Sequence, residues 1–469
     1  MRINVGKNTV VSSNDFLKKT DSWVEQTDKD ITILKNRCHA LDATMKNYQY
    51  GLFSNIRREL YDAPFALGLI TDIHFNNAEL RYKLYNSVKE IDMFKNIIRN
   101  INVTDSYVLG DLINGDYNNA TFFNDVCELQ NHVDGLNLIH GNHDTGAYFE
   151  NLLIKDPSTY GSFGPYLLPN RDLYEFFYKK NNHTKIDTET LAFYKDYEEQ
   201  KIRLIHINVQ DCPNIRDDNN HLIYNPTNWK AITPKQIQWL VDNAFDFTEK
   251  ENKGEGWKII ILTHSPLVPE IDDLNTAEQF SYYYNTEESS VEYIANYSIL
   301  MQLISELNQG TQNIITSNLK TVPDTDYGTY SKIALNGFET VPYTADRHAL
   351  NKKYFGTRFT IDETENVFEI QLKQAVKIPV VLCLSGHIHD DRAVTIDGTH
   401  HVTLAALANS IEDENADLDE FALTFLMMKN NEFFFFRTGK NMSEHYNPIL
   451  ISGKTNYGIE AFKDKSFKF

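Results

Sequence analysis

Six short, almost purely apolar runs alternate with helix-like stretches over most of the chain, and this alternation restricts the possible folds more than any other feature of the sequence. Strands that are apolar on both faces belong to a sheet that is covered on both sides, and the helices between them provide that cover. We therefore expect an α/β layered domain. The runs are FALGLI (65–70), SYVL (106–109), LNLI (136–139), IRLIHINV (202–209), KIIIL (258–262) and PVVLCL (379–384).

Further elements complete this layered pattern. Two later stretches, HHVTLAAL (400–407) and FALTFLMMKNNEFFFFRTG (421–439), indicate strands, the second of them a hairpin turning at KNN, so we expect a second sheet packed on the first. The intervals 145–200 and 266–378 are longer than ordinary connections, and we expect them to form insertions at one end of the sheet. Helices are predicted near 78–100, 119–133, 234–247 and 290–308.

The first fifty residues have a different pattern. Between residues 13 and 50 apolar side chains recur at heptad spacing, with Leu17 and Ile31 in one register and Leu34 and Leu41 in the other. The pattern is compatible with a single amphipathic helix packed on its own domain, and equally with a coiled-coil stalk that makes the protein a homo-oligomer. We divide the chain into a helical segment, a main domain with the two insertions, and a C-terminal extension, at 1–55, 60–440 and 441–469.

Charge and cysteine usage exclude some classes of function. The net charge of −20 and the pI of about 5.2 disfavour non-specific nucleic-acid binding, because no basic stretch is present to neutralise phosphates. The four cysteines have no paired spacing, so neither a disulfide framework nor a zinc ribbon is expected. No signal peptide or membrane span is predicted, and we expect a cytoplasmic protein, or a virion- or tail-associated one if the chain comes from a phage.

Polar side chains follow five of the apolar runs at the point where each strand should end. In an open α/β sheet these ends line one crevice, so the side chains should converge. Carboxylate and imidazole ligands suit Mn, Fe, Zn or Co, and seven of them are too many for one tetrahedral ion. They suit two divalent ions that share a bridging carboxylate. The candidate ligands are Asp72, His74, Asp111, Asn142, His264, His387 and His389, with His143 in addition.

The motifs resemble those of the calcineurin-like metallophosphoesterases. The resemblance rests on TDIH (71–74), GD (110–111), GNHD (141–144), THSP (263–266) and GHIH (386–389), together with ITPKQIQWL (232–240), which is similar to a helix of many members. It implies an α/β/β/α sandwich in which two mixed sheets are flanked by helices.

The same resemblance assigns the site residues to two ions. Asp72, His74 and His389 would hold the first ion, and Asn142, His264 and His387 the second. Asp111 would bridge both ions, and His143 would lie near the scissile phosphate as a general acid or as a donor to a phosphate oxygen. The implied enzyme is a dinuclear phosphoesterase, with manganese favoured, in which a metal-bridging hydroxide attacks a phosphodiester or a phosphomonoester.

One stretch departs from the phosphoprotein phosphatase branch of that family. The branch carries GDxVDRG, whereas this chain has GDLINGD (110–116), so Asn114 replaces an aspartate and the phosphate-gripping arginine is absent. We expect Asn114 to orient His143 by a hydrogen bond, and we favour phosphodiesterase activity over phosphoprotein phosphatase activity.

A second class of function remains open. A virion or cell-surface structural protein could carry the phosphoesterase domain on an oligomeric stalk, although the complete ligand set favours an enzyme. His206 is either a satisfied core histidine or an outer neighbour of the ligands, and His140 and His183 are assigned no role.

Overall fold

A computed structural model gives the structure of the protein and divides the chain into two units, Met1–Ser54 and Asn55–Phe469. In the first unit it describes strands β1 (Arg2–Asn4) and β2 (Val10–Ser12), which form an antiparallel pair. The predicted heptad helix at 13–50 lies outside the described residues. In the second unit the structure describes mainly residues 62–75, 88–115, 119–147, 167–216, 230–267, 294–316, 369–389, 392–407, 422–429 and 432–438, with a few shorter pieces.

Strands and helices alternate through the first two thirds of the second unit. Its helices are α1 (Val88–Ile98), α2 (Asn119–Val133), α3 (Asn170–Leu173), α4 (Pro234–Trp239) and α5 (Tyr297–Gln309). A π turn extends α3 over Tyr174–Tyr178 and another extends α4 over Leu240–Ala244. Its strands are β3 (Phe65–Ile70), β4 (Asp105–Leu109), β5 (Asn137–Ile139), β6 (Lys185–Ile186), β7 (Phe193–Tyr197), β8 (Ile202–His206), β9 (Lys230–Ala231), β10 (Lys258–Leu262), β11 (Ile294–Ala295), β12 (Ile315–Thr316), β13 (Lys320–Thr321), β14 (Phe359–Thr360), β15 (Glu369–Ile370), β16 (Val380–Ser385), β17 (Arg392–Ile396), β18 (Thr399–Thr403), β19 (Leu423–Lys429), β20 (Glu432–Thr438) and β21 (Ser466–Lys468).

One mixed sheet has six strands in the order β21-β20-β19-β3-β4-β5. Strands β3, β4 and β5 are parallel, and β19 runs antiparallel to β3. Strands β19 and β20 pair with Lys429 opposite Glu432, which confirms the hairpin predicted at KNN. The edge strand β21 comes from the interval 441–469, so this end of the chain contributes to the main sheet.

The other mixed sheet has seven strands in the order β17-β18-β16-β10-β8-β7-β6. Its four central strands are parallel, and β17, β7 and β6 are antiparallel to their neighbours. Strands β6 and β7 lie within 145–200, so this part of the expected insertion is integral to the sheet. The sequence did not reveal β7, because three polar or half-buried residues separate the buried Phe193 and Tyr197.

The two sheets pack face to face with helices outside them, as an α/β/β/α sandwich. The rings of Phe65 on β3 and Tyr197 on β7 are 5.1 Å apart, which joins the inner faces. Helix α1 covers the outer face of the six-stranded sheet, where Phe94 packs on Gly68 and Phe425. Helices α4 and α5 share one apolar core with β8, β10 and β16. The layered fold expected from the sequence is therefore confirmed.

The parallel strands position the polar residues that follow them. Strands β3, β4 and β5 end beside one another in the first sheet, and β8, β10 and β16 do so in the second. In the described part of the chain, no helix combines the length and the apolar character that a membrane span requires.

Candidate metal centre

Asp72 lies at the point where β3 ends, and its carboxylate is held in one orientation by its neighbours. The Thr71 hydroxyl donates to Oδ2 at 2.6 Å. The backbone N–H of His387 donates to both carboxylate oxygens, at 3.1 and 3.0 Å. The side chain is fully buried. The first sheet and the loop after β16 of the second sheet therefore meet at this carboxylate.

A first group of ligand atoms forms around Asp72. The Nε2 atoms of His74 and His389 are 2.9 Å apart. His389 Nε2 lies 3.3 Å from Asp72 Oδ1, and His74 Nε2 lies 3.7 Å from Asp111 Oδ2. One ligand atom from each of these four residues falls within 4.8 Å of the other three, so together they could hold an ion.

A second group forms on the other side of Asp111. His264 Nε2 is 3.2 Å from Asp111 Oδ2 and 3.1 Å from the side-chain oxygen of Asn142. The ring of His387 stands 5.1 Å from that of His264, centroid to centroid. Asp111, His264 and His387 bring ligand atoms within 4.8 Å of one another. Asp111 is thus common to both groups.

The chemistry of these donors fits a divalent ion. His264 Nδ1 lies 2.8 Å from the carbonyl oxygen of Leu109, which can only accept, so Nδ1 carries a proton and donates it. With this proton fixed on Nδ1, Nε2 is the ring nitrogen that would bind an ion in place of its own proton, as in metal-binding histidines whose tautomer is set by a carbonyl.

Burial and neighbouring charges determine the ionisation of these groups. Burial raises the pKa of Asp72, but the nearby imidazoles of His389 and His264 lower it by more, so that the resulting pKa is about 2. Burial also raises the pKa of Asp111, and His264 and His143 hold it well below its ordinary value. Burial lowers the pKa of His264, but Asp111 and Asp72 raise it more, to about 9. Two buried carboxylates therefore stay charged, which requires positive charge beside them.

The backbone of the site is held in an unusual conformation. Five of the eleven non-glycine residues with positive φ that the structure describes belong to the two groups. Such left-handed conformations cost free energy in non-glycine residues and persist where the surroundings enforce them. The five are Asp72 (φ 52°), His74 (φ 47°), Asp111 (φ 49°), His387 (φ 72°) and His389 (φ 56°).

Two glycines allow the loops to approach this closely. A Cβ atom at Gly141 would overlap the Asp111 carboxylate, and one at Gly386 would overlap the Thr71 hydroxyl. Glycine is therefore required at both positions by contact with the candidate ligands or their neighbours.

Asp144 supports the site although the sequence analysis gave it no role. Its carboxylate accepts three backbone N–H bonds, from Leu112 at 3.1 Å, Ile113 at 3.0 Å and Gly141 at 2.7 Å. It thereby ties the loop that carries Asp111 to the loop that carries Asn142. The final aspartate of GNHD was the available signal, because a short acidic side chain in the turn after a strand often binds local N–H groups.

His143 lies beside the two groups and is more accessible than the carboxylate it faces. Its Nε2 is 3.9 Å from Asp111 Oδ2, and its side chain is 14% exposed, against 1% for Asp111. Its Nδ1 contacts Asn114, as the sequence suggested, but through the main-chain carbonyl oxygen, at 2.5 Å. The side-chain amide of Asn114 does not provide that bond.

The remaining histidines of the sequence analysis lie outside both groups. His206 is buried, with Nδ1 3.2 Å from the Leu262 carbonyl oxygen and Nε2 3.2 Å from the Tyr178 hydroxyl. His140 contacts the same hydroxyl, and burial lowers the pKa of both rings to about 3. His183 Nδ1 lies 2.7 Å from the Asn181 carbonyl oxygen.

The sequence matches the model of the calcineurin-like phosphoesterase family over residues 65–301. The chain belongs to the calcineurin-like phosphoesterase family. The matched span includes Asp72, Asp111 and His264, whereas His387 and His389 lie beyond it and are joined to the same groups by the fold.

Several solved structures are similar to this phosphoesterase chain. A dimetal phosphatase from Danio rerio shares 13% identity at a TM-score of 0.43, covering 81% of this chain and 97% of that one. GAP50, the anchor in the inner membrane complex of Plasmodium, shares 9% identity at a TM-score of 0.34, covering 83% of this chain and 92% of that one. A Staphylococcus aureus protein assigned as a 5′-nucleotidase shares 11% identity at a TM-score of 0.32, covering 80% of this chain and 52% of that one. A search of curated proteins returns no match.

Membership in the family and the His/Asp cluster together indicate a phosphoesterase with a divalent metal centre.

Proposed function

We propose that the protein is a dinuclear metal-dependent hydrolase that prefers phosphodiesters. The observation that carries this proposal is the position of Asp111, which belongs to both groups of candidate ligands. A carboxylate shared by two sets of imidazoles is suited to bridge two ions, whereas a single ion would leave one set of buried donors without a partner.

The proposed ligand sets follow the two groups. The first ion would be held by Asp72, His74 and His389, and the second by Asn142, His264 and His387, with Asp111 between them. When bound, two divalent ions lower the pKa of a water and neutralise the charge of a phosphate group. We favour manganese, because oxygen and imidazole donors without thiolates suit it, although iron, zinc and cobalt also accept such donors.

His143 would supply a proton in this reaction. Asn114 O accepts the Nδ1 proton, which leaves Nε2 as the ring nitrogen that faces Asp111. When both nitrogens are protonated, Nε2–H can donate to the oxygen that leaves the phosphorus, while the carboxylate of Asp111 stabilises the charged ring. The partial exposure of His143 gives a substrate access to it.

The preference for diesters follows from the charges at the site. A phosphomonoester carries more negative charge than a diester and needs more positive groups to bind it. Among the described residues, histidines are the ion-pair partners of Asp72 and Asp111, and no lysine or arginine pairs with either carboxylate. The arginine of the phosphoprotein phosphatase motif is also absent from GDLINGD (110–116). Both observations favour the less charged ester.

A pair of substrates with one leaving group tests the proposal. We expect bis(p-nitrophenyl) phosphate to give a higher kcat/KM than p-nitrophenyl phosphate in the presence of Mn²⁺. A preference for the monoester would contradict the diester assignment. The proposed activity would be contradicted if the protein hydrolysed neither compound, and no member of a panel of natural phosphate esters, with any of Mn, Fe, Zn and Co.

A further inference from the structure

Next to the metal cluster, the structure buries a row of three aromatic polar side chains between β5 and β8. The Tyr178 hydroxyl, from the turn Tyr174–Tyr178, lies 2.6 Å from His140 Nδ1 and 3.2 Å from His206 Nε2. It also lies 3.1 Å from the backbone nitrogen of His140. All three side chains are buried, and one tyrosine oxygen therefore contacts two different strand ends.

The acceptors in this row determine where each proton lies. The Leu262 carbonyl can only accept, so His206 Nδ1 carries a proton and donates it. In a neutral ring, His206 Nε2 then carries a lone pair, and it accepts a hydrogen bond from the Tyr178 hydroxyl. The Tyr178 oxygen in turn accepts the two protons that His140 offers, from its backbone N–H and from Nδ1.

Two observations agree with this arrangement. Among the residues that the structure describes, no carboxylate forms a hydrogen bond or ion pair with the rings of His140 or His206, so neither has a counter-charge for a cationic form. His140 Nε2 also has no hydrogen-bond partner among the described residues. A lone pair is left unpaired more readily in a protein interior than an N–H group is.

Both ends of the row lead directly to the candidate metal ligands. His140 is followed by Gly141 and Asn142, and Leu262 is followed by Thr263 and His264. The side chains of Asn142 and His264 meet at 3.1 Å. The row therefore links the backbones of the two segments at residues 140 and 262, two residues before each ligand.

We infer that Tyr178 is a positioning residue for the proposed metal centre. Its hydroxyl fixes the segment carrying Asn142 against the strand carrying His264, so that both ligands are preorganised for the same ion. This inference rests on the proposed function. Outer hydrogen-bond partners of this kind commonly change metal affinity by about 10–100-fold when they are removed.

The first test removes only the hydroxyl. Tyr178→Phe keeps the ring but leaves His140 Nδ1–H, the His140 backbone N–H and His206 Nε2 without their partner. We expect the dissociation constant for Mn²⁺, measured by chelator competition without substrate, to rise about 10–100-fold. Tyr197→Phe is the matched control, because its buried hydroxyl contacts Asp105 and Tyr107 at the opposite end of β4 from Asp111. It should lower Tm and leave the affinity for Mn²⁺ unchanged.

A second pair of variants covers the case in which Tyr178→Phe does not fold. The amide of an asparagine at position 206 can replace Nδ1–H toward Leu262 O but cannot reach Tyr178. The longer glutamine can place an acceptor near Nε2. His206→Asn should therefore weaken Mn²⁺ binding more than His206→Gln does.

The outcomes separate the two proposals. If the wild-type protein binds neither Mn²⁺ nor Zn²⁺, the proposed function fails. If the wild type binds Mn²⁺ and Tyr178→Phe binds it equally well, Tyr178 does not position the centre. If Tyr178→Phe does not fold, equal Mn²⁺ affinity in His206→Asn and His206→Gln overturns the inference.

Discussion

The Nε2 atoms of His74 and His389 lie 2.9 Å apart although the two residues are 315 positions apart in the chain. A hydrogen bond between two neutral rings, with an N–H of one donating to the lone pair of the other, is one explanation of this distance. Two imidazole nitrogens this close to each other would also be placed to hold one ion together. The carboxylates of Asp72 and Asp111 beside both rings favour the ion, because they require positive charge.

The first prediction concerns His143. His143→Asn retains a donor that can reach the Asn114 carbonyl but removes Nε2, so bound metal should be retained while kcat falls about 10²–10⁴-fold. The fall in kcat should be smaller for diester substrates with more acidic leaving groups, because their departing oxygen needs no proton. A rate loss that is equal for p-nitrophenol and for poorer leaving groups would show that His143 binds phosphate and does not act as a general acid.

The side chain of Asn114 provides the second prediction. Because His143 contacts the main-chain carbonyl oxygen at position 114, Asn114→Ala keeps that acceptor. We expect its kcat to fall much less than that of His143→Asn in the same assay. A loss as large as that of His143→Asn would mean that the amide itself is needed, as the sequence alone had suggested.

Much of this arrangement could be predicted from the sequence. Apolar runs such as FALGLI and KIIIL coincide with β3 and β10, because strands buried on both faces need continuous apolar residues. Asp72 and His264 were recognisable for the same reason, since each follows such a run after a single threonine. The family match confirms the predicted family.

Other features could not be predicted from local pattern. The resemblance assigned His387 and His389 to different ions, and they do contact different neighbours, His264 and His74, but the positive φ of both residues had no signal in the sequence. Tyr178 contacts His140 and His206 only after α3 and its π turn have folded against β5 and β8. Such contacts join residues distant in sequence and leave no periodic signal.

Asp211 provides a prediction about pH and stability. Burial raises its pKa from 3.8 to about 6, although hydrogen bonds from Thr233 and Gln236 act against this. The folded protein therefore binds a proton that the unfolded chain releases between these values, so the free energy of unfolding falls as pH rises through this window. The loss attributable to Asp211 is about 3 kcal/mol.

The measurement for Asp211 compares unfolding by urea across that window. Relative to wild type, Asp211→Asn should gain stability progressively from pH 4 to pH 7, about as expected from linkage. Asp134→Asn, at an exposed residue that pairs with Lys180, is the control and should show no such trend. A stability difference between Asp211→Asn and wild type that does not change with pH would contradict the raised pKa.

The most direct test of the dinuclear centre is the number of divalent ions bound per chain, measured by elemental mass spectrometry on the active protein and on Asp111→Asn. Two ions are predicted for the wild type, with hydrolysis lost on chelation and restored by Mn²⁺. Asp111→Asn should lose metal and activity together, because Asp111 serves both groups, whereas the control Asp105→Asn, at the start of β4, should keep both. A fully active wild type with one ion or none, or an Asp111→Asn variant that keeps both its metal and its rate, would contradict the account.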